Sequence, residues 1–399
     1  MANIFASDVQ KQAFMQGVQD ELRTAIPMAQ VSNVDTENLE TINSRYGNDF
    51  AADSTTDGTY AINDFTYAND SLTINEQAVY GERIQLKELV HAGAGSRGGW
   101  DIVADRKQRH VRALGVAVHR DTYSKTVNGS GLILDNEVLA GSASAGTPIT
   151  MSATNPDDVS TKAYELMQDA GVSQADGRPY FMIDPATARF FKLFNMNAGF
   201  NTADRQLMTG FQVIPTFDFD YFVTPEVERE QVTTGVSIIA TDVYTVKGVT
   251  FTVIATPTTA GHVDLGANDT ETLANLAAAV NGGAGAGTAY VEISAANRAI
   301  LKNAGVKAVS TATTITITGY GSLAVVSPDS TLTVGTERKI LLVGLRNSTH
   351  LALPTLGYSV AELDKVPGFT GSELRSTQIY DSTVFIKSAN KIARVLVGV

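Results

Sequence analysis

An α+β fold follows from three features of the order in which this chain arranges its residues. A polar N-terminal segment and a strand-like, Asn/Thr-rich stretch come first, followed by one long basic helix over 101–125 and then by helices and strands in alternation. A block over 228–335, rich in Thr, Ala, Gly and Val and almost free of charge, interrupts that alternation. The chain closes on a strand-like run at 392–397 that reads as exposed. An arm and a protruding ribbon lose conformational entropy on ordering and bury little within their own subunit. Their natural use is contact with further copies, so the pattern points to assembly rather than turnover.

The length of 399 residues suggests two or three domains, and a hydrophobic content of 43% is enough for packed cores. The net charge of -12 argues against global nucleic-acid affinity and leaves room only for a local basic face. There is no cysteine, which excludes disulfides, thiolate metal ligands and Cys nucleophiles and fits folding in a reducing cytosol. Residues 1–21 lack the apolar core of a secretory signal, and no apolar run nears the roughly 20 residues of a membrane span. The expectation is a soluble protein without membrane contact.

Local signals place the elements. Ser7 or Asp8 caps a first helix with Phe14, Val18 and Leu22 on one side, and Ile26-Pro27 stops it. Residues 31–58 show no convincing period. Tyr60, Ile62, Phe65 and Tyr67 carry an imperfect strand signal. Leu72-Thr73-Ile74 and Ile84-Gln85-Leu86 alternate more cleanly, and Asn69-Asp70 reads as a hairpin turn. With few large aliphatics, this ribbon must lie on something else.

Asp101 caps the long helix, Val103, Val111, Leu114 and Val118 form its stripe, and Asn128-Gly129 ends it. At 1.5 Å per residue it would be about 37 Å long. Asn155, Pro156, Asp157 and Asp158 mark another helix start, with Val159, Ala163, Leu166 and Met167 inward and Gly171 at its end. Residues 180–183 read as a buried strand. Asp184-Pro185 caps a helix bearing Phe190, Phe191 and Phe194, and 210–215 reads as a turn into a strand.

In the Thr-rich block, 249–253 and 314–318 alternate as strands. Asn268 and Glu271 cap a helix that carries Leu273, Leu276 and Val280 and ends at Gly282-Gly283. About a hundred residues is an ordinary domain size, so the block reads as an insertion into a host domain. Residues 340–343 resume the host as a buried strand, and 383–386 with 392–397 form a closing hairpin across Ala389-Asn390.

The motifs that carry chemistry are sparse. Gly93-Ala94-Gly95-Ser96-Arg97-Gly98 spells a dinucleotide fingerprint, but 86–91 is a poor strand for it and the following helix is too basic and polar to pack on a sheet. A hinge explains it better. Arg106, Lys107, Arg109, Arg112 and Arg120 give the long helix a basic face, which either touches DNA weakly or is solvated and paired with acids. His91, His110, His119, His262 and His350 show no four-residue metal spacing and read as structural or surface residues. No hydrolase, Walker or EF-hand pattern occurs, so no catalytic, metal or cofactor site is expected.

The ordered set of parts resembles the major capsid proteins of tailed bacteriophages, with the HK97-like fold. The residues that carry the resemblance are the arm, including 25–30; the ribbon with Leu72-Thr73-Ile74-Asn75-Glu76 and Arg83-Ile84; the helix over 101–125; 180–184, Phe190-Phe191, 210–215 and 340–343; and the strand at 392–397. The resemblance implies an N-terminal arm at 1–45 and an extended E-loop at 46–97. A spine helix and peripheral domain follow at 98–179, and an axial domain at 180–227 and 338–382. An inserted β-rich domain at 228–337 and C-terminal peripheral-domain strands at 383–399 complete it. It further implies hexamers and pentamers of an icosahedral head around double-stranded DNA, assembled in the bacterial cytoplasm. Self-association would be the main partnership, with scaffolding, portal or decoration proteins besides, and neither enzymatic activity nor a cofactor. The alternative is another virion structural protein, from a tail or an adhesive decoration, which explains the Thr-rich block but not the long basic helix.

Overall fold

A computed structural model describes residues 8–37, 40–47, 67–85, 102–141, 144–173, 176–197, 219–363 and 371–399. The chain divides into two compact units, the first formed by 1–131, 175–177 and 345–392 and the second by 132–174, 178–344 and 393–399.

The first unit opens with helix α1 (Asp8–Ala25), whose Phe14, Val18 and Leu22 are buried one turn apart, and Pro27 turns the chain into a short 3-10 segment. Four strands follow: β1 (Asn33–Asp35), β2 (Thr41–Gly47), β3 (Tyr67–Thr73) and β4 (Glu76–Gln85). Helix α2 (Ile102–Gly129) has 28 residues, about 42 Å at the standard rise.

The second unit then runs through β5 (Leu132–Leu134), α3 (Asn136–Ala140), α4 (Pro156–Asp169), β6 (Pro179–Ile183), α5 (Pro185–Asn197) and β7 (Asp220–Val223). It continues through β8 (Glu228–Gly235), β9 (Val243–Val246), β10 (Val249–Ile254), β11 (His262–Asp264), α6 (Asp269–Asn281) and α7 (Ala295–Asn303). Its later strands are β12 (Lys307–Ser310), β13 (Thr314–Tyr320), β14 (Leu332–Val334) and β15 (Arg338–Leu345). The first unit resumes with β16 (His350–Ala352), β17 (Tyr358–Leu363), β18 (Gly371–Thr383) and α8 (Ile386–Ala389), and β19 (Ile392–Gly398) ends the chain in the second unit.

In the first unit β18 is the organising strand. It pairs antiparallel with β4 over ten residues, with β17, and near its end with β16, which in turn pairs parallel with β1. Helix α2 lies against β18 and β4, and α1 lies against α2. The helices approach closely where Gly115 faces Ala25: a Cβ at Gly115 would stand 3.4 Å from that of Ala25. Leu72 and Ile74 pack with Ala352 and Phe385 in a small cluster.

Several expectations are corrected here. The first helix is not an arm that buries little in its own subunit, since Phe14, Val18 and Leu22 are buried within this chain, whereas most described positions of the ribbon are exposed or half-buried and only Leu72, Ile74 and Ala78 are buried. Residues 31–47 are not irregular: β1 and β2 form there because their partners supply the hydrogen bonds that local sequence does not advertise. Asn69-Asp70 is no turn but mid-strand, opposite Arg45 and Ser44 of β2, so sheet pairing overrides turn propensity. Nor is α2 too polar to pack on a sheet. The expected turn-and-strand at 210–215, the fingerprint at 93–98 and the ribbon between 48 and 66 lie outside the described residues.

The second unit is built on a mixed nine-stranded sheet. Its main path runs β12-β13-β8-β15-β19-β5, with β14 beside β8 and β6-β7 joined along β15. Every residue of β6 is buried, and β15 is buried from Lys339 to Leu345. The closing strand is neither exposed nor half of a hairpin. β19 lies between β15 and β5 with Ile392, Ala393 and Val395 fully buried, and 386–389 is a helical turn. Its near-continuous apolar run is what burial on both faces requires.

Helix α4 starts at Pro156 as expected, yet the Asn155 side chain does not cap it; its Oδ1 accepts from the Ser152 N–H at 2.8 Å. The block over 228–335 has an apolar core of its own, including Tyr244, Phe251, Leu273, Ile315 and Ile317. It is continuous with the rest of the unit because β8 pairs with β15 at Glu230–Arg338 and Arg229–Lys339. Asn268 caps α6 by accepting from the Glu271 N–H at 2.9 Å, and Gly282 ends it with φ 67°. A Cβ there would also meet the Arg298 guanidinium at 2.9 Å.

Candidate functional site

The first unit concentrates its polar chemistry along α2, where two clusters tie the helix to β4 and β18. Near the N-terminal end, Arg106 and His110 lie one turn apart on the face turned to the sheet. Glu82 of β4 accepts from Arg106 Nη1 at 2.9 Å and lies 3.3 Å from His110 Nε2. Burial alone would raise the Glu82 carboxyl. The nearby His110 imidazole and the Arg106 charge outweigh it and hold the group below the usual carboxylate range. On its other side His110 meets Ser376 of β18, Nδ1 to Oγ 2.5 Å, and the Tyr358 hydroxyl of β17 reaches the same Oγ at 2.9 Å. Burial pushes the Tyr358 phenol up to about 12. The rings of Phe14 from α1 and Tyr80 from β4 meet the His110 ring edge-on, with centroids 5.9 and 4.8 Å away.

Toward the C-terminal end, Lys125 is held by Asp381 at 2.6 Å, Asp121 at 2.9 Å and Glu76 at 3.5 Å. Burial opposes the ammonium form, but the hydrogen bonds to Asp381 and Asp121 overcome it and raise the lysine above its ordinary value. Burial, then the charges of Asp121, Glu76 and Asp381, pushes the neighbouring Tyr380 phenol strongly upward.

The basic residues read from the sequence thus part company. Arg106 is buried against Glu82, Lys107 lies 2.5 Å from Glu21 of α1, and Arg109 lies 3.2 Å from Asp105. Arg120 is half-buried. Arg112 is exposed, with no carboxylate in ion-pair range among the described residues.

Glu82, His110 and Ser376 form an acid–imidazole–hydroxyl series, the residue types of a hydrolase triad. Ser376 and His110 are both 0% exposed, so the hydroxyl meets no substrate and the series acts as a strut. Among the described residues no three His, Asp or Glu side chains are set to hold a metal ion, and no helix is long and apolar enough to cross a membrane. Sequence reasoning missed Ser376, Tyr358 and Asp381 because they join α2 from strands far along the chain, and Glu82 because no helical or strand spacing links it to Arg106. Of the other histidines, His119 is buried, His262 accepts from the Thr259 N–H at 3.3 Å, and burial lowers His350, which packs on Phe385. His91 lies outside the described residues.

The second unit has its own buried pair. Lys339 of β15 donates to Asp184 at 2.9 Å, and Asp184 also caps α5 by accepting from the Thr187 and Ala186 N–H groups. Burial opposes the Asp184 anion, but hydrogen bonds from Thr187 and Lys339 hold it below its usual range.

No protein-family model matches the chain, and no curated protein sequence matches it. Among the solved structures similar to it are capsids and related particles. The capsid of cyanophage P-SCSP1u shares 9% identity at a TM-score of 0.44, over 92% of this chain and 86% of that one. The mature capsid asymmetric unit of bacteriophage PhiM1 shares 10% at 0.43, over 93% and 86%. A virus-like particle from Pyrococcus furiosus shares 7% at 0.41, over 96% and 98%.

Proposed function

We propose that this chain is a major capsid protein of the HK97-like kind, which self-assembles into hexamers and pentamers of an icosahedral phage head enclosing double-stranded DNA. One observation carries the proposal: along the chain a 28-residue helix follows a paired ribbon and precedes the strands of a mixed sheet, in the order that the sequence resemblance implies. That helix is bonded near both ends to β4 and β18, which suits an element that bears load between neighbours. In this proposal 228–337 is a domain inserted into the axial domain, and scaffolding, portal or decoration proteins are further partners.

The burial of the α1 stripe within its own unit changes how assembly would work. The intersubunit contacts fall to exposed aliphatics such as Val79, Ile379 and Leu356. Each contact is modest, and the lattice gains by making many at once. Heterologous contacts that close into rings produce such hexamers and pentamers. Arg112 is the α2 residue best placed for weak DNA contact, since Arg106, Lys107 and Arg109 already face carboxylates.

Negative-stain imaging of the purified chain tests the proposal. Shells, or discrete rings of five and six copies, are expected. Single chains that persist at high concentration would contradict it, and long tubes would favour a tail protein.

A further inference from the structure

The second unit holds a cavity of about 310 Å³ whose chemistry assembly leaves unused. Its walls include Asp135, Glu230, Arg338, Arg394 and the apolar side chains of Ile133 and Leu396. Most of the charge is already compensated. Arg338 grips Glu230 with two nitrogens, at 3.1 and 3.0 Å, and donates a third hydrogen bond to the Gly146 carbonyl. Asp135 caps α3 by accepting from the Val138 N–H at 3.0 Å, and its other oxygen accepts from the Gly146 N–H at 2.6 Å. Glu137 stands exposed at the rim.

Arg394 differs. It sits on β19 opposite Ile133 of β5, and its Nε is buried with no hydrogen-bond partner. No carboxylate lies in ion-pair range of it among the described residues. A guanidinium partly withdrawn from water with its fork unused is costly unless an acceptor meets it. Its planar donors match the two oxygens of a carboxylate or phosphate. The volume is at the small end of small-molecule sites, and one wall is apolar.

We propose that this cavity binds a small oxyanion with a short apolar stem, a carboxylate or a phosphate, paired to Arg394. The site is independent of the capsid proposal, because every wall belongs to the second unit of a single chain.

The test follows thermal unfolding of the full chain with butyrate, acetate or inorganic phosphate at about 20 mM and constant ionic strength. Binding to the folded state is expected to raise Tm by about 1–2 °C in the parent chain and not in Arg394→Gln. A rise with the carboxylates alone assigns that class, one with phosphate alone assigns the other, and a rise with both assigns the shared chemistry. No rise with any of them, or an equal rise in Arg394→Gln, overturns the proposal. Should that variant not fold, phenylglyoxal modification of the parent chain, read by peptide mass, decides. The effective anion is expected to slow modification of Arg394 by about threefold while exposed Arg112 reacts unchanged. An unchanged Arg394 rate overturns the proposal.

Discussion

The first unit and the 228–335 block of the second solve the same problem with opposite chemistry. In the first unit, β18 comes from a distant part of the sequence, and α2 is joined to β4 and β18 by buried and half-buried charge: Arg106 on Glu82, and Lys125 on Asp381. The block closes over Tyr244, Phe251, Leu273, Ile315 and Ile317, and its strands alternate these with half-exposed Thr. Buried charge specifies register between distant segments at a desolvation cost, whereas an apolar core supplies stability without regard to pH. A region that must hold one shape under load gains from the first. A region that must only stay folded does well with the second.

The largest expected effect tests the apolar side. Phe251→Ala or Leu273→Ala removes a fully buried side chain from the block and should cost about 2–5 kcal/mol. Urea unfolding followed by hydrogen exchange should place the loss in β9–β13, and an equal loss in β4 and β18 would break the contrast.

Next comes the ionic side. Glu82→Ala takes the nearest carboxylate from buried Arg106, leaving Asp105 at 3.9 Å, and should cost about 1–3 kcal/mol, whereas Glu82→Leu with Arg106→Met should be near neutral. A double variant as unstable as the single one would show that the pair contributes net stability rather than register.

The pH dependence sharpens the comparison further. Glu82 is held below its unfolded value, so its contribution is present above roughly pH 4.3 and is lost as pH falls through the lower folded value. Hydrogen exchange between pH 5 and 3 should therefore show β4 and β18 losing protection before β10 and β13. The reverse order would contradict the division. The smallest effect is Asn268→Ala, which removes the α6 cap and should cost about 1 kcal/mol within the block alone.

What the sequence revealed follows from the same contrast. The α1 stripe, the α6 cap and Gly282 stop, the buried run of β6 and the alternation of β13 are local signals, and each lies where the residues indicate. The burial of α2 was not legible, because no local spacing pairs Arg106 with Glu82 of the preceding strand, and Ser376 reaches His110 from a strand far along the chain. β1 could not be read because its partner β16 lies some three hundred residues away, at His350 for Asn33. β19 was misread for the opposite reason: its apolar run was visible, but its place between β15 and β5 is a property of the whole sheet.

If copies of this polypeptide lock together through exposed apolar positions of the first unit, charging those positions should spare the fold and abolish the particle. Sedimentation velocity on the parent chain and on a variant with Val79→Asp and Leu356→Asp tests this directly. Large particles or five- and six-copy rings for the parent, and single chains with an unchanged circular dichroism spectrum for the variant, are expected. A parent chain that sediments as one copy at every concentration, or a variant that still builds particles, would contradict it.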